Sequence, residues 1–281
     1  LSEEIIMRAI LILSLTMIFF GSELFAGGHS STLQDVKARG KLRCVVTTGL
    51  PGFAAPDANG VWRGFDWDFC RATAAAVLGD ANAVDPITST GKTRFTKLNA
   101  GEGDVLWRNT TITFSRDVSV KLRFLGVNYY DGQGFMVNKS LGVSSAKELD
   151  GASVCIQTGT TTELNLADFF SSNNMSYEAV TIETNDEARQ NYEAGRCDIY
   201  TTDASGLAST RSSLPNPNDH MVLPEIISKE PLGPAVRQGD DAWADIITWV
   251  LNATITAEEL GVNSSNVCLL YTSPSPRDRP L

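Results

Sequence analysis

The chain has 281 residues and a formal net charge of −10, with 42% hydrophobic and 20% charged residues. These proportions are those of a globular protein, and the length suffices for one large domain or two small ones. The acidic balance, with no basic cluster to offset it, argues against nucleic acid as a partner.

The N-terminal residues have the pattern of a secretory signal peptide. A positive start at Met7-Arg8 precedes an apolar run over residues 9–20 and small residues at 26–28. We predict a signal peptide over residues 1–26, in which residues 1–6 are upstream read-through. A membrane anchor is the alternative, but the run is shorter than the roughly 20 residues that span a bilayer. The mature protein is therefore expected to be exported.

Cysteine usage agrees with export. Four cysteines lie in segments of predicted regular structure, and the fifth, Cys268, lies in an irregular tail. Four cysteines allow three pairings, of which we favour Cys44 with Cys70 and Cys155 with Cys197; four free thiols are the alternative. No two cysteines have Cys-x-x-Cys spacing and the chain has 2 histidines, so we expect no metal site.

The first half of the mature chain alternates between strand and helix patterns, separated by glycine and proline. Such alternation is typical of an α/β domain with a mainly parallel sheet. Ligands bind beyond the carboxyl ends of such strands, so the loop 47–53 and the stretch 109–116 should open on one edge. Asp66 and Asp68 are placed to cap the second helix. The predicted elements are helices at 33–39, 66–78 and 94–100 and strands at 41–46, 84–87 and 105–107.

The last of these strands runs into a row of hydrogen-bonding side chains. Asn109 has an amide, Thr111 and Thr113 have hydroxyls, and Arg116 has a planar fork of donors. A carboxylate accepts two parallel bonds from a guanidinium and further bonds from hydroxyls, so this set suits a small anion. The alternative is a strand end whose threonines cap the next helix and whose arginine lies on the surface.

A second α/β unit follows. The Gly/Thr-rich turn 157–163 leads into a helix whose N-terminus would attract an anion, although it lacks the lysine and glycine spacing of a phosphate loop. Asp203, at the end of a strand, can receive an ammonium group or cap the next helix. Residues 215–218 and 224–234 are linker-like, and residues 268–281 resemble a foreign tail. The predicted strands are at 134–137, 153–156, 180–182, 197–200 and 235–237, and the helices at 146–149, up to 170, at 186–194 and at 242–259.

Ordered blocks between about residue 32 and residue 267 resemble one family. The chain is similar to the periplasmic amino-acid-binding proteins of ABC importers, in bacterial extracellular solute-binding protein family 3, and specifically to the broad-specificity L-amino-acid binders. The matching blocks are Leu42-Arg43-Cys44, Gly64-Phe65-Asp66-Trp67-Asp68-Phe69-Cys70 and Arg108-Asn109-Thr110-Thr111, together with 49–53, 129–135, 157–165, 195–203 and 225–237.

The resemblance implies an α/β periplasmic binding protein fold of type II, with two lobes and two hinge segments. Such proteins continue past the last predicted helix, so we expect lobe 1 to be truncated and residues 268–281 to be non-native. The implied segments are lobe 1 at 27–131, a hinge at 132–134, lobe 2 at 135–222, a second hinge at 223–233 and a return to lobe 1 at 234–267.

The resemblance also implies ligand-binding roles. Arg116, helped by Asn109 and Thr111, would bind the α-carboxylate of an L-amino acid. Thr161 of lobe 2 would add bonds to that carboxylate, and Asp203 would accept the α-ammonium. An aromatic ring would pack against the ligand, and two cations would set side-chain selectivity. In chain order the implied residues are Phe53, Lys92, Arg94, Asn109, Thr111, Arg116, Thr160, Thr161 and Asp203.

We therefore expect a monomeric periplasmic protein that closes on an L-amino acid and delivers it to a membrane permease. It would need neither a cofactor nor a metal and would catalyse no reaction. One alternative is an enzyme on the same scaffold, such as a dehydratase acting on a small carboxylic acid, although the sequence offers no Ser-His-Asp set. Another is a receptor's sensor domain, which requires a following membrane span.

Overall fold

The computed structural model describes residues 31–267. The expected signal peptide with its read-through, the tail 268–281 and Cys268 lie outside these residues. Within residues 31–267, no helix has both the length and the apolar character needed to cross a bilayer.

The predicted alternation of strands and helices is present, and short strands and two helices that were not predicted interrupt it. The strands are β1 (Leu42–Thr47), β2 (Ala55–Pro56), β3 (Trp62–Arg63), β4 (Val84–Ser89), β5 (Val105–Leu106), β6 (Leu122–Phe124), β7 (Tyr129–Asp131), β8 (Gln133–Asn138), β9 (Ala152–Gln157), β10 (Tyr177–Ile182), β11 (Ile199–Asp203), β12 (His220–Val222), β13 (Glu230–Leu232) and β14 (Ala235–Arg237). The α-helices are α1 (Thr32–Arg39), α2 (Phe65–Leu78), α3 (Arg94–Asn99), α4 (Phe114–Val118), α5 (Thr161–Ser172), α6 (Asn185–Glu193), α7 (Ala204–Ser212) and α8 (Asp241–Glu259).

The first sheet, in lobe 1, has the strand order β4-β1-β5-β14-β6. Strands β4, β1 and β5 run parallel, and β14 is antiparallel to both of its neighbours. Trp107 and Trp243 are fully buried beside this sheet. Their indole N–H groups donate to Thr73 Oγ1 at 3.1 Å and to the Asp104 carbonyl at 2.9 Å. Each ring therefore adds apolar packing without the ~1–3 kcal/mol cost of an unpaired buried donor.

The second sheet, in lobe 2, has the strand order β10-β9-β11-β8-β12. Strands β10, β9 and β11 run parallel, whereas β8 and β12 run antiparallel to their neighbours. Phe135 and Phe170 are its largest buried aromatic side chains next to Tyr200. As in lobe 1, the parallel strands present their carboxyl ends at one edge, which is the edge that α/β proteins use for ligands.

Two crossing strands connect the lobes. Strands β7 and β13 pair antiparallel, with Tyr129 opposite Leu232 and Asp131 opposite Glu230. The chain passes β7 on its way to the second sheet and β13 on its return. The predicted two-lobed α/β fold class is therefore confirmed. Strand β8 begins at Gln133, within the predicted first hinge, and the lobe and hinge boundaries stay predictions.

One disulfide lies within each lobe. Cys44 of β1 is bonded to Cys70 of α2, with their Cα atoms 6.0 Å apart. Cys155 of β9 is bonded to Cys197, which precedes β11, with their Cα atoms 5.6 Å apart. These are the two pairings that the sequence favours, and each ties an interior strand of a sheet to a neighbouring segment of the same lobe.

The start of α2 differs from the prediction. Its N-cap is Gly64, which has a φ of 120°. A Cβ at Gly64 would lie 2.4 Å from the Phe53 carbonyl oxygen, so a larger residue does not fit. Asp66 is buried and accepts a bond from the Asn109 backbone N–H at 2.8 Å, while Asp68 is exposed. The predicted capping by Asp66 and Asp68 was therefore wrong. The carboxylate of Asp66 binds the backbone of Asn109, which follows β5, and not the first turn of α2.

Candidate functional site

A narrow cavity lies between the two lobes. Its lining residues lie at or after the carboxyl ends of β4, β5, β9 and β11, which is the edge predicted to bind a ligand. The cavity has a volume of about 20 Å³. The lining side chains are Arg94, Arg108, Asn109, Thr111, Gln157, Thr160, Thr161, Thr162, Thr202 and Asp203.

The lobes contact each other directly around this cavity. Asn185 Nδ2, at the start of α6, donates to Thr47 Oγ1 at the end of β1 at 3.1 Å. Ser209 Oγ, on α7, donates to the Pro51 carbonyl at 2.7 Å. Since both bonds join lobe 1 to lobe 2, the structure shows the closed arrangement of a two-lobed molecule.

Two glycines allow turns of the two lobes to approach each other. A Cβ on Gly91 of lobe 1 would lie 2.9 Å from Thr160 Cγ2 and 3.0 Å from the Thr158 carbonyl oxygen. A Cβ on Gly159 of lobe 2 would lie 2.9 Å from Lys92 Cα. These separations are shorter than van der Waals contact, so a larger residue at either position would hold the lobes apart.

Among residues 31–267, three arginines are buried, and all belong to this region. Arg94 Nη1 donates to Thr110 Oγ1 at 3.2 Å, and Arg94 Nε is buried without a partner in the described part of the chain. Burial lowers the pKa of Arg108 and of Arg116 to about 10. Burial and the two neighbouring arginines lower the pKa of Arg94 well below its ordinary value. Because a guanidinium stays protonated in proteins, this cluster attracts anions.

Arg116 lies behind the cavity lining rather than in it. Its Nη1 donates to the Thr111 carbonyl at 2.7 Å, and its guanidinium carbon lies 5.2 Å from the centre of the Phe95 ring. Arg116 therefore supports the backbone at Thr111, within the stretch 109–116 of hydrogen-bonding side chains. Thr113 caps α4 by accepting the Arg116 N–H at 3.3 Å, as the alternative interpretation predicted. That alternative was wrong about the arginine, which is buried.

Asp203 places a buried carboxyl group in the lining of the cavity. Burial raises the pKa of Asp203 to about 8, with further contributions from Asp131 and Glu230, while Arg94 and Arg116 act in the opposite direction. A cation beside Asp203 would favour its ionised form and lower this pKa. The carboxyl group is therefore suited to an ammonium group. Among residues 31–267, no group of His, Cys, Asp and Glu side chains is arranged to hold a metal ion.

A second buried carboxylate, Glu230 of β13, sets the direction of the site hydroxyls. Thr111 Oγ1 and Thr161 Oγ1 donate to Glu230 Oε2 at 2.5 and 2.9 Å. A hydroxyl has one hydrogen, so both can only accept a further hydrogen bond. Their lone pairs suit a donor such as an ammonium group. The carboxylate-binding role that the resemblance implied for these two hydroxyls does not fit this geometry.

Asn109 and Thr160 differ in what they offer to a ligand. The Asn109 backbone N–H donates to Asp66, whose pKa burial raises to about 6. Asn109 Oδ1 is buried without a partner in the described residues, so it can accept a bond from a ligand. Thr160 Oγ1 donates to the Gln157 carbonyl at 2.7 Å and accepts from Thr162 Oγ1 at 2.7 Å. The Thr160 hydroxyl is therefore occupied by bonds within its own turn.

Phe53 and Lys92 are predicted site residues that do not line the cavity. The Phe53 ring makes edge-to-face contacts with Phe65 and Tyr129, with centroids 6.1 and 5.8 Å apart, in an adjoining cleft. These aromatic neighbours hold Phe53 away from the cavity. Lys92 is exposed, because its backbone rather than its side chain packs on Gly159 of lobe 2.

Some residues of the site were not predicted. Arg108, Gln157 and Thr202 line the cavity, and Glu230 is bonded to its threonines. The first three adjoin predicted site segments, so their position beside a strand end was an available signal. Glu230 offered no such signal, because the sequence does not show whether a hinge carboxylate faces solvent or the cleft.

Residues 42–262 match the family model of the bacterial extracellular solute-binding proteins, family 3. The chain belongs to this family. Its two lobes and the cavity between them are therefore the ligand-binding architecture of a solute-binding protein, and the resemblance found in the sequence is confirmed.

Several relatives of this solute-binding protein have names or structures. The glutamate/glutamine/aspartate/asparagine-binding protein BztA of Rhodobacter capsulatus is 63% identical over 89% of this chain and 75% of BztA. The general L-amino acid-binding periplasmic protein AapJ of Rhizobium johnstonii is 56% identical over 91% of this chain and 76% of AapJ. A solved ABC transporter/periplasmic binding protein from Brucella ovis with glutathione bound is 54% identical, with a TM-score of 0.85 over 88% of this chain and 78% of that one.

Proposed function

We propose that this solute-binding protein captures L-amino acids by closing its lobes around them in the periplasm. In this proposal it is exported, acts as a monomer without a cofactor or catalysis, and delivers its ligand to the membrane permease of an ABC transporter. The names of BztA and AapJ support the ligand class, and the name of AapJ supports the location. The crossing strands β7 and β13 serve as the hinge.

The observation that carries this proposal is the placement of opposite charges for a zwitterion. Asp203 and the lone pairs of Thr111 and Thr161 can receive an ammonium group. The three buried arginines can receive carboxylates. An α-amino acid has both groups on one carbon, so both are paired only in the closed cleft. An analogue that lacks either group leaves a buried charge unpaired, which is costly.

The two arginines that line the cavity, Arg94 and Arg108, favour amino acids with an acid or amide side chain. We assign Arg116 to the α-carboxylate, as the family resemblance implies; its Nη1 holds the Thr111 carbonyl behind the lining, so the ligand would be bound by the other N–H groups of the guanidinium. Arg94 and Arg108, which line the cavity, are left for the oxygen atoms of the side chain. Asn109 Oδ1, which has no partner in residues 31–267, can accept from a side-chain amide. Glutamate, glutamine, aspartate and asparagine are therefore the proposed best ligands, and they are the four in the name of BztA.

Calorimetric titration tests this ligand class. L-glutamate and L-glutamine are expected to bind, whereas D-glutamate and 4-aminobutyrate, which lacks the α-carboxylate, are expected not to. L-lysine should bind far more weakly than L-glutamate, because its side chain would approach Arg94 and Arg108. Equal affinity for L-lysine and L-glutamate would contradict the side-chain assignment. The absence of binding by every common L-amino acid would contradict the proposed function itself.

Arg116→Ala tests the assignment of the α-carboxylate. Loss of the guanidinium leaves a buried ligand charge unpaired at a cost of ~3–5 kcal/mol, which weakens affinity for L-glutamate roughly 200- to 5,000-fold. Arg123→Ala is the matched control, because Arg123 on β6 of the same lobe forms an exposed ion pair with Asp241. A calorimetric affinity within a few-fold of the parent for Arg116→Ala would show that another group binds the carboxylate.

A further inference from the structure

Glu230 is a buried carboxylate at the junction of the two lobes. It lies on the crossing strand β13 and is 2% exposed. Its Oε2 accepts from Thr111 Oγ1 at 2.5 Å and from Thr161 Oγ1 at 2.9 Å. Its Oε1 accepts from Asn165 Nδ2 at 2.7 Å and from Ser228 Oγ at 2.6 Å. The donors thus belong to lobe 1, to helix α5 of lobe 2 and to the hinge segment that contains Glu230.

The bond to lobe 1 is backed by the backbone around it. Ile112 N–H donates to the Pro231 carbonyl at 2.8 Å, and Gly233 N–H donates to the Thr110 carbonyl at 3.1 Å. The segment that carries Thr111 is therefore tied to β13 as one unit. A hinge motion about the crossing strands leaves this unit intact.

The bonds to α5 are not backed by backbone bonds between α5 and β13. One further side-chain bond reaches α5 from the hinge region, from Gln133 Nε2 to the Thr162 carbonyl at 3.1 Å. Thr161 and Asn165 lie one turn apart on α5, and their side chains reach across the cleft to Glu230. An ionised carboxylate accepts about four hydrogen bonds, so Glu230 is fully satisfied only while these two donors are in place. Opening of the cleft removes α5 from β13, and two of the four bonds must then be replaced by water.

We propose that Glu230 is a latch that holds α5 against β13 and shifts the ligand-free protein toward the closed arrangement. The apparent affinity for a ligand that binds the closed form falls in proportion to the fraction of closed molecules, so the latch also strengthens binding. This second effect rests on the proposed function. The effect on lobe closure does not, because it requires no ligand.

Glu230→Gln tests the latch, and Glu225→Gln is its matched control. Glutamine has the size of glutamate, but its NH₂ group cannot accept a bond from either pair of donors. Glu225 lies in the same predicted hinge segment, 223–233, and is likewise bonded through its carboxylate. Its donors, however, are Ser145 Oγ at 2.6 Å and Ala146 N–H at 3.0 Å, both within lobe 2. Its loss should leave the cleft unchanged.

Small-angle X-ray scattering of the ligand-free proteins measures closure, and calorimetric titration with L-glutamate measures affinity. We expect Glu230→Gln to have a larger ligand-free radius of gyration than the parent, to recover the parent's value with saturating L-glutamate, and to bind at least tenfold more weakly. Glu225→Gln should match the parent in both measurements. Equal ligand-free radii of gyration for the parent and Glu230→Gln would overturn the latch. Failure of the proposed function would appear differently, as a parent protein that does not bind L-glutamate.

Asn165→Ala keeps the test decisive if Glu230→Gln does not fold. This variant removes one donor on α5, at a half-buried position, and leaves the buried carboxylate in place. We expect the ligand-free radius of gyration to increase in the same direction and affinity to fall about threefold or more. A variant that matches the parent in both measurements would overturn the latch.

Discussion

Asp203 is a carboxyl group of the closed cleft whose pKa is shifted mainly by burial. Burial raises its pKa to about 8, so the carboxyl group holds a proton at neutral pH when no cation lies beside it. A ligand ammonium favours the ionised form. Closure around an amino acid near neutral pH is therefore accompanied by loss of the Asp203 proton, and closure without a ligand retains it.

Asp203→Asn should stabilise the ligand-free protein between about pH 6.5 and 8. The pKa of Asp203 is about 8 in the folded protein against an ordinary value of 3.8, so folding takes up a proton between these values. The stability that Asp203 contributes is complete below about pH 4 and is lost as pH rises through 8. Asparagine does not titrate, so the free energy of unfolding of the variant should fall less steeply, by up to about 1.4 kcal/mol per pH unit.

Thermal or urea unfolding at several pH values measures this slope. Asp198→Asn is the control, because Asp198 precedes the same strand, is exposed, and has its pKa lowered by bonds from Ser153. The pKa of Asp66 is raised only to about 6. Its titration therefore affects the pH dependence of the free energy of unfolding mainly below the range of about pH 6.5 to 8. If the free energy of unfolding changed equally steeply with pH in the parent and in Asp203→Asn, Asp203 would have an ordinary pKa in the folded protein.

Among the secondary-structure elements, the sequence predicted eight of the described strands, some of them too short, and it missed the short strands β2, β3, β6, β7, β12 and β13. The strand predicted at 180–182 is β10, which begins at Tyr177, and the strand predicted at 84–87 is β4, which continues to Ser89. The added residues are partly polar, so no apolar run indicates them. They are strand because each pairs in parallel with a neighbour, β10 with β9 and β4 with β1. Such pairing depends on residues far away in the chain.

The contact between the turns at Gly91 and Gly159 makes a prediction about closure. Gly91→Ala places a Cβ 2.9 Å from Thr160 Cγ2 and 3.0 Å from the Thr158 carbonyl in the closed cleft. Overpacking of this kind costs about 1–3 kcal/mol, so affinity for L-glutamate should fall roughly 5- to 150-fold. The unfolding temperature of the ligand-free protein should change little, because an open cleft relieves the contact.

Lys92→Ala is the control for this turn. Lys92 is exposed next to Gly91, and its truncation adds no atoms between the lobes. Its affinity for L-glutamate should equal that of the parent. If Gly91→Ala and Lys92→Ala lost the same affinity for L-glutamate, the Lys92 side chain would contribute to ligand binding, as the family resemblance implied. Unchanged affinity in Gly91→Ala would mean that the two turns stay apart when the ligand is bound.

For the molecule as a whole, the sequence was sufficient to predict the residues that one sheet gathers. Arg94, Asn109 and Thr111 follow strand ends and Asp203 is the last residue of β11, so parallel topology alone brings the residues of each lobe to one edge of its sheet. The sequence was not sufficient to predict contacts between segments that only the packing of the two lobes and the crossing strands brings together. Thr111 and Glu230 are 119 residues apart, and their bond reverses the expected direction of the Thr111 hydroxyl. Local pattern contains no information about such a contact.

The placement of one disulfide in each lobe allows the lobes to be destabilised separately. The bonded cysteines are 26 residues apart in lobe 1 and 42 residues apart in lobe 2. Loop-closure entropy predicts losses of ~3.5 and ~4 kcal/mol when these bonds are removed. In scanning calorimetry, the double variant Cys155→Ala with Cys197→Ala should therefore show two unfolding transitions. Lobe 2 should unfold at the lower temperature and lobe 1 at the higher one.

Saturating L-glutamate should bring these two transitions together. The ligand binds only when both lobes are folded and closed, so it stabilises lobe 2 through its contacts with lobe 1. The variant Cys44→Ala with Cys70→Ala is the matched control and should reverse the order, with lobe 1 unfolding first. A single transition that shifts equally in both variants would contradict this picture. The two sheets would then form one cooperative unit, and the contacts across the crossing strands would stabilise the fold as strongly as the core of either lobe.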